Sequence, residues 1–165
     1  MVHVVGIDVG LRNFAICELF VDPTSNNVSL KQCLLIDITG TNCSDSITLF
    51  DEVLSSMEID HMCIEQQQPN SKNNYALAHA LYGWAVAKSI PVCFGHARTK
   101  FDLFTHVLKK KNKMNYTQRK KHACELAMAL CDTYSFDKKL ITQHKKTDDV
   151  SDALLFELSS LETSD

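Results

Sequence analysis

Four acidic residues in this chain of 165 residues have the types and positions needed to bind divalent metal ions. Asp8 ends an apolar stretch in GIDVG, and Glu65 ends another in MCIEQ. Asp149 and Asp152 lie three residues apart in DDVSDALLFEL, at the predicted start of a helix. Residues i and i+3 share one helix face, so both of these carboxylates can point to the same place. Each acid alone has a simpler explanation, as a strand-end group that meets a lysine or as a charge that complements the helix dipole.

Taken together, the four carboxylates predict a site for Mg²⁺ or Mn²⁺, because these ions prefer oxygen ligands, and they are sufficient for two ions. Two such ions can activate a water molecule and stabilise the leaving oxygen during phosphodiester cleavage. Asp8 is the predicted bridging ligand. The sequence contains no HExxH, paired CxxC, Walker A or GxSxG motif that would favour a different reaction. These residues therefore predict a metal-dependent nuclease.

Positive charge is concentrated in one segment, although the chain carries a formal net charge of −3. Of 17 lysines and arginines, 13 lie between Arg98 and Lys146, a segment that contains only four acidic residues. A basic segment on an acidic body indicates a surface for nucleic acid, the alternative being a solvated basic loop without a partner. Phosphate contacts there would give sequence-independent, salt-sensitive binding. The predicted DNA-binding residues are Arg98, Lys100, Lys109, Lys110, Lys111, Lys113, Arg119, Lys120 and Lys121.

The pattern of apolar residues predicts which elements must hold these side chains. The predicted strands cover residues 2–9, 13–21, 28–38, 61–66 and 91–95. The predicted helices cover residues 44–57, 71–89, a segment after Ala97, 117–131 with Thr117 as the cap, and 148–161, with an irregular basic stretch over 132–147. This order predicts an α/β fold with a mixed five-stranded sheet flanked by helices, an antiparallel meander followed by parallel strands. Asp8 and Glu65 would meet at neighbouring strand ends.

Length and cysteine content limit the organisation and location of the chain. The length fits a single domain over residues 1–165. The seven cysteines are odd in number and lie mostly in apolar stretches, which predicts buried free thiols in a reducing compartment. The first residues, MVHVVGIDVG, lack the features of a signal peptide, and no apolar run is long enough to cross a membrane. We therefore expect a cytoplasmic or nuclear protein with no membrane partner.

Three motifs resemble those of the RuvC-like Holliday junction resolvases, the poxvirus resolvases in particular: GIDVGLRNFAI, IEQQQP and KKTDDVSDALL, in this order. The resemblance implies an RNase H-like fold. It also implies a homodimer that cuts four-way DNA junctions by paired nicks with Mg²⁺ or Mn²⁺, during viral DNA replication and genome resolution in the host cytoplasm. Carried over by position, the metal-binding and catalytic acids are Asp8, Glu65, Asp149 and Asp152. Lys120 and Lys121 are the candidates for a catalytic lysine, and Lys100 is a further one.

Two further features have open interpretations at this point. The helix over 71–89 contains Tyr82, Trp84 and several alanines, and it could form either core packing or a face shared between subunits. Phe14 and Phe101 could belong to the core or could stack against DNA.

Three other functions remain as alternatives. Another RNase H-like nuclease could cut RNA–DNA hybrids or other branched DNA. A non-catalytic module could hold branched DNA, although such a module would not need all four acids. GIDVGLRN also resembles the phosphate loop of sugar kinases and actin-like ATPases, but those proteins need two lobes, for which this chain is too short.

Overall fold

A computed structural model of the chain describes residues 1–41, 43–96, 99–109 and 113–162. Its strands form one sheet in the order β3-β2-β1-β4-β5. They are β1 (Val2–Asp8), β2 (Phe14–Asp22), β3 (Asn27–Ile36), β4 (His61–Glu65) and β5 (Val92–Gly95). The first three strands pair antiparallel, whereas β4 pairs parallel with β1 and β5 pairs parallel with β4. The predicted mixed sheet, a meander followed by parallel strands, is therefore confirmed.

Helices cover both faces of this sheet. They are α1 (Cys43–Leu54), α2 (Lys72–Ala87), α3 (Thr99–Leu103), α4 (Tyr116–Tyr134), α5 (Lys139–Thr142) and α6 (Thr147–Glu162). On one face, Phe50 of α1 and Leu81 of α2 belong to the same buried cluster as Ile7. On the other face, Leu126 of α4 and Leu154 of α6 belong to a second buried cluster. Among the described helices, none is both long and apolar enough to cross a membrane.

The predicted limits of α4 were wrong at both ends. Asn115, and not Thr117, is the cap: its side chain accepts a hydrogen bond from the backbone N–H of Gln118, and the Gln118 side chain accepts one from the backbone N–H of Asn115. This reciprocal pair satisfies two N–H groups that a helix start leaves free. The helix continues past Cys131 and stops at Ser135, whose φ of 59° is left-handed. The stretch over 132–147 is also not irregular, because it contains the end of α4 and the whole of α5.

The aromatic residues of α2 serve the packing of their own chain. The indole N–H of Trp84 donates to Oδ1 of Asp51 at 3.1 Å. The ring of Tyr82 stacks on Phe94 with 5.0 Å between ring centroids. Of the two interpretations of this helix, core packing therefore accounts for both aromatic residues.

A glycine on β1 sets how closely α6 approaches the sheet. A Cβ atom on Gly6 would lie 2.2 Å from the carbonyl oxygen of Ala153 and 2.7 Å from Cβ of Glu157. Any side chain there would push α6 away from the sheet. Because the middle of α6 crosses β1 at this point, the first two turns of α6, which carry Asp149 and Asp152, reach the edge where β1 ends.

Candidate active site

A cavity of about 460 Å³ lies at the edge of the sheet where β1 and β4 end. The four predicted acids all line it: Asp8, Glu65, Asp149 and Asp152. Basic side chains line it as well: Arg12, Lys100, Arg119 and Lys120. Polar and aromatic residues complete the wall, including Asn13, Gln67, Ser71, Asn74, Phe101 and Tyr116. Carboxylates can bind cations, and lysine and arginine side chains can bind phosphates. A concave site that combines the two is therefore suited to a phosphate-containing ligand that binds together with cations.

Asp8 and Glu65 are neighbours because their strands are parallel and in register, with Ile7 opposite Ile64. Burial raises the pKa of Asp8 well above its usual value, and the charge of Glu65 and a hydrogen bond with it raise this pKa further. The side-chain amide of Gln67 donates to Glu65. Two carboxylates this close favour a proton between them, and a divalent cation can take the place of that proton.

Lys100 holds Asp152 at the wall of the cavity. Its ammonium group donates to Oδ1 of Asp152 at 2.6 Å and lies 4.3 Å from the ring centroid of Phe156. Burial raises the pKa of Asp152, and Lys100 acts in the opposite direction. Lys100 itself is only 3% exposed. A buried lysine that is paired with a carboxylate and lies against an aromatic ring is a fixed charge that orients this acid.

Lys120 makes the corresponding contact with Asp149, the other predicted metal ligand on α6. Its ammonium group donates to Oδ1 of Asp149 at 2.9 Å and also to Asp148. Burial alone would lower the pKa of Lys120, but these hydrogen bonds outweigh it and raise that pKa. Asp149 is only 8% exposed, and its Oδ2 has no hydrogen-bond partner among the described residues. A buried carboxylate oxygen without a partner is unfavourable, so Oδ2 is an available ligand for a cation.

The donor set fits Mg²⁺ or Mn²⁺ in chemical type, because all four acids supply hard oxygen ligands. Within the part of the chain that the structure describes, no three histidine, cysteine or acidic side chains already stand in a metal-binding arrangement. One oxygen of Asp152 and one of Asp149 instead accept hydrogen bonds from Lys100 and Lys120.

A sequence profile of the Poxvirus A22 protein family matches residues 2–162. The chain belongs to this family. A search of curated protein sequences gives no match.

Solved structures share the fold of this A22 family member. The fowlpox virus resolvase in complex with its substrate Holliday junction DNA superposes with a TM-score of 0.72 at 19% identity, over 98% of this chain and 97% of that one. The Thermus thermophilus RuvC in complex with a Holliday junction substrate gives 0.65 at 14% identity, over 95% and 91%. The yeast mitochondrial Holliday junction resolvase gives 0.70 at 16% identity, over 96% and 78%. The predicted RuvC-like, RNase H-like fold is confirmed.

The structure separates the predicted basic residues of the A22 family member into groups. Lys100, Arg119 and Lys120 line the cavity. Lys121 does not line it: its side chain is 76% exposed, and its ammonium group lies 3.8 Å from Oε1 of Glu125. Two are exposed outside the cavity lining, namely Lys109 and Lys113. Three lie outside the described residues, namely Arg98, Lys110 and Lys111.

Several cavity residues were missed by the sequence analysis. Arg12 and Asn13 follow GIDVG after one intervening residue, so their place beside Asp8 could have been inferred from the tight turn after β1. Ser71 and Asn74 begin the helix that follows Glu65, and a helix N-terminus near a strand end is a common phosphate site. Tyr116 was missed because the cap of α4 was assigned to Thr117, two residues after the observed cap at Asn115.

The two phenylalanines differ in position. Phe14 is buried and stacks on Phe50 with 4.9 Å between ring centroids, so it belongs to the core. Phe101 is 7% exposed and lines the cavity, and its ring centroid lies 5.3 Å from the Lys100 ammonium group.

Proposed function

We propose that this A22 family member is an endonuclease that resolves four-way DNA junctions. One observation carries the proposal: four carboxylates from two strands and one helix line the same cavity as Lys100 and Lys120. The fold supports it, since proteins of this fold have been solved with Holliday junction DNA. The chemistry is phosphodiester hydrolysis, and the natural setting is viral DNA replication and recombination.

Asp8, Glu65, Asp149 and Asp152 would hold two divalent ions, either Mg²⁺ or Mn²⁺. Such ions activate the attacking water and stabilise the leaving oxygen. Lys100 orients Asp152, because its ammonium group donates to Oδ1 of Asp152 and is itself held over the ring of Phe156. Lys120 is able to donate to a phosphate oxygen as well as to Asp149, and a charged hydrogen bond of this kind stabilises negative charge on phosphate.

Salt dependence tests the basic surface. Because the affinity comes mainly from phosphate contacts, junction binding should fall by about a thousandfold between roughly 50 and 200 mM salt. Replacing Lys109 and Lys113 by Gln should reduce the slope of log affinity against log salt by about two. Fluorescence anisotropy with a labelled junction measures both quantities. An affinity that does not change with salt would exclude this surface as the DNA-binding one.

Tyr116 is the exposed aromatic residue at the mouth of the cavity. Its side chain is 65% exposed, and its ring centroid lies 5.4 Å from the ammonium group of Lys120. We infer that Tyr116 stacks on a base or sugar of the bound strand. Tyr116→Ala should weaken junction binding by about tenfold, as expected for one lost stacking contact, whereas Tyr116→Phe should bind like the parent. Equal affinities of the Ala and Phe variants would contradict the stacking role.

A homodimer would supply the two cavities that paired nicks on opposite strands require. The face of α2 that turns away from the core carries small and apolar exposed residues, namely Ala76, Gly83 and Val86. We propose that this face meets its counterpart in a second copy. Sedimentation measures the oligomeric state directly: the parent should be a dimer, and Gly83→Arg, which places a bulky charge on this face, should be a monomer. A parent that is monomeric at micromolar concentration would contradict the proposed dimer.

The substrate is tested by comparing labelled four-way junction, three-way flap, linear duplex and RNA–DNA hybrid at equal concentrations. The proposal predicts nicking of the junction at a rate at least about tenfold above the other substrates. Preferred cutting of the hybrid would favour an RNase H activity on the same catalytic site. Binding of the junction without any cutting would favour a non-catalytic module.

A further inference from the structure

A second polar cluster lies beneath α6 on β4 and β5, and its cavity is lined by none of the four acids. At its centre, Glu157 is fully buried, and its Oε1 lies 3.7 Å from Nδ1 of His61 and accepts a hydrogen bond from Ser160. Its Oε2 has no hydrogen-bond partner in the described part of the chain. Burial raises the pKa of Glu157, and the imidazole of His61, which faces its Oε1, acts in the opposite direction. The cluster therefore contains an imidazole and a carboxyl group that the proposed nuclease reaction does not use.

Two cysteines extend this cluster toward the surface. Cys63 and Cys93 are opposite each other in register on the neighbouring parallel strands β4 and β5. Cys93 is partly exposed and lines a cavity of about 180 Å³, whereas Cys63, at its inner wall, is 1% exposed. Gly95 leaves room for the inner thiol, because a Cβ atom there would lie 2.8 Å from Sγ of Cys63.

The imidazole of His61 interacts with the thiol of Cys93 as well as with Glu157. Hydrogen bonds from Cys63 and from His61 lower the pKa of Cys93 to about 5. Hydrogen bonds with Cys93 and Glu157 raise the pKa of His61 to about 10. Thiol, imidazole and carboxylate thus follow one another in the order of a nucleophile, its base and the group that orients the base.

We propose that Cys93 is a peroxide-reactive thiol and that Cys63 converts its oxidised form into an intrachain disulfide. The thiolate of Cys93 attacks one peroxide oxygen, so that an S–O bond forms and the O–O bond breaks. The leaving hydroxide takes the proton of His61 and departs as water, which leaves a sulfenic acid on Cys93. Cys63 then attacks this sulfur: the S–S bond forms, the S–O bond breaks, and a second water leaves with the Cys63 proton. Two thiols lose two electrons, and the peroxide is reduced to two water molecules.

The chain contains matched controls for both requirements of this reaction. Cys124 is also partly exposed, but burial raises its pKa, and its thiol contacts Thr147 and not, among the described residues' hydrogen bonds, a histidine. Cys17 and Cys33 are close together, with 2.9 Å between their sulfur atoms, but both are buried. Cys124 therefore tests the effect of thiol exposure alone, and the pair of Cys17 and Cys33 tests the effect of thiol proximity alone.

The experiment treats the full chain in EDTA with hydrogen peroxide at neutral pH and follows each cysteine by peptide mass spectrometry. Peptides linked through Cys63 and Cys93 should form at least about tenfold faster than any oxidation of Cys124 or linkage of Cys17 to Cys33. In Cys63→Ser, a sulfenic acid should accumulate on Cys93, where dimedone traps it. In His61→Asn, oxidation of Cys93 should slow by about tenfold, while that of Cys124 stays unchanged.

Three results would overturn the proposal: oxidation of Cys93 no faster than that of Cys124, an unchanged rate in folded His61→Asn, or no trapped sulfenic acid in Cys63→Ser. Circular dichroism reports whether each variant folds. His61→Asn removes the partner of a buried carboxylate, which destabilises the fold. The ratio of the alkylation rates of Cys93 and Cys124 in the parent chain is a measurement that does not depend on that variant. An alkylation rate of Cys93 equal to that of Cys124 would also overturn it.

Discussion

Asp8→Asn should reduce the nicking of a four-way junction by at least about 1,000-fold while leaving junction binding within about twofold of the parent. Asp8 lies at the end of β1, against Glu65, at the point where the metal-binding oxygens are expected to meet. The amide has the same shape as the carboxyl group but supplies no negative charge to a cation. Binding should persist, because phosphate contacts by the basic side chains do not depend on this residue.

The same variant has a readout that is independent of cutting. The pKa of Asp8 is raised in the folded chain. At any pH above the pKa that Asp8 has in the unfolded chain, ionisation of this group therefore disfavours the folded state. Asn removes this charge, and in EDTA at pH 7 the Tm of Asp8→Asn should therefore exceed that of the parent. Added Mg²⁺ or Mn²⁺ should raise the Tm of the parent more than that of the variant, since metal bound to the folded state stabilises it.

Asp132→Asn is the matched control for Asp8→Asn, because its carboxylate is 70% exposed and contacts Lys138 on the surface. It should nick, bind and respond to metal like the parent. Parent-like nicking by Asp8→Asn would refute its assignment to the metal site.

Lys120→Met should lower the rate of nicking by about 100-fold, whereas Lys121→Met should change it by no more than about twofold. The two lysines are adjacent in sequence, but Lys120 donates to Asp148 and Asp149, and Lys121 faces Glu125. Loss of the Lys120 ammonium group removes a donor from the cavity and leaves Asp149 without its hydrogen-bond partner. Single-turnover nicking at saturating enzyme measures this effect without a contribution from binding.

This pair of variants is its own control, because each removes one positive charge from the same turn of α4. Both should therefore show a similar, small loss of junction affinity in low salt. Equal losses of nicking in the two variants, or a larger loss in Lys121→Met, would contradict the placement of Lys120 in the active site.

The sequence was informative where a local pattern determines a long-range contact. The apolar runs that end in Asp8 and Glu65 predicted two strand ends, and the parallel pairing of β1 with β4 then places these acids side by side. Asp149 and Asp152 followed from their i, i+3 spacing at the start of a helix. The metal-binding roles of the four acids stay predictions until they are measured.

Other features could not be read from the sequence, because they depend on how distant elements pack. The contact between Lys100 and Asp152 joins α3 to α6, and no local pattern marks either residue as the partner of the other. Which of Lys120 and Lys121 faces the cavity depends on the rotation of α4 about its axis, which packing against α6 determines. The cluster of His61 and Glu157 was not predicted for the same reason, because β4 and α6 meet only in the folded chain.

The most direct test of the central claim is a cleavage assay on a four-way junction with each strand labelled in turn, in EDTA and with Mg²⁺ or Mn²⁺. We predict nicks at symmetric positions on two opposing strands when a divalent ion is present, and none in EDTA. Cutting that persists in EDTA, or a folded protein that binds the junction and leaves all strands intact with either ion, would contradict the account.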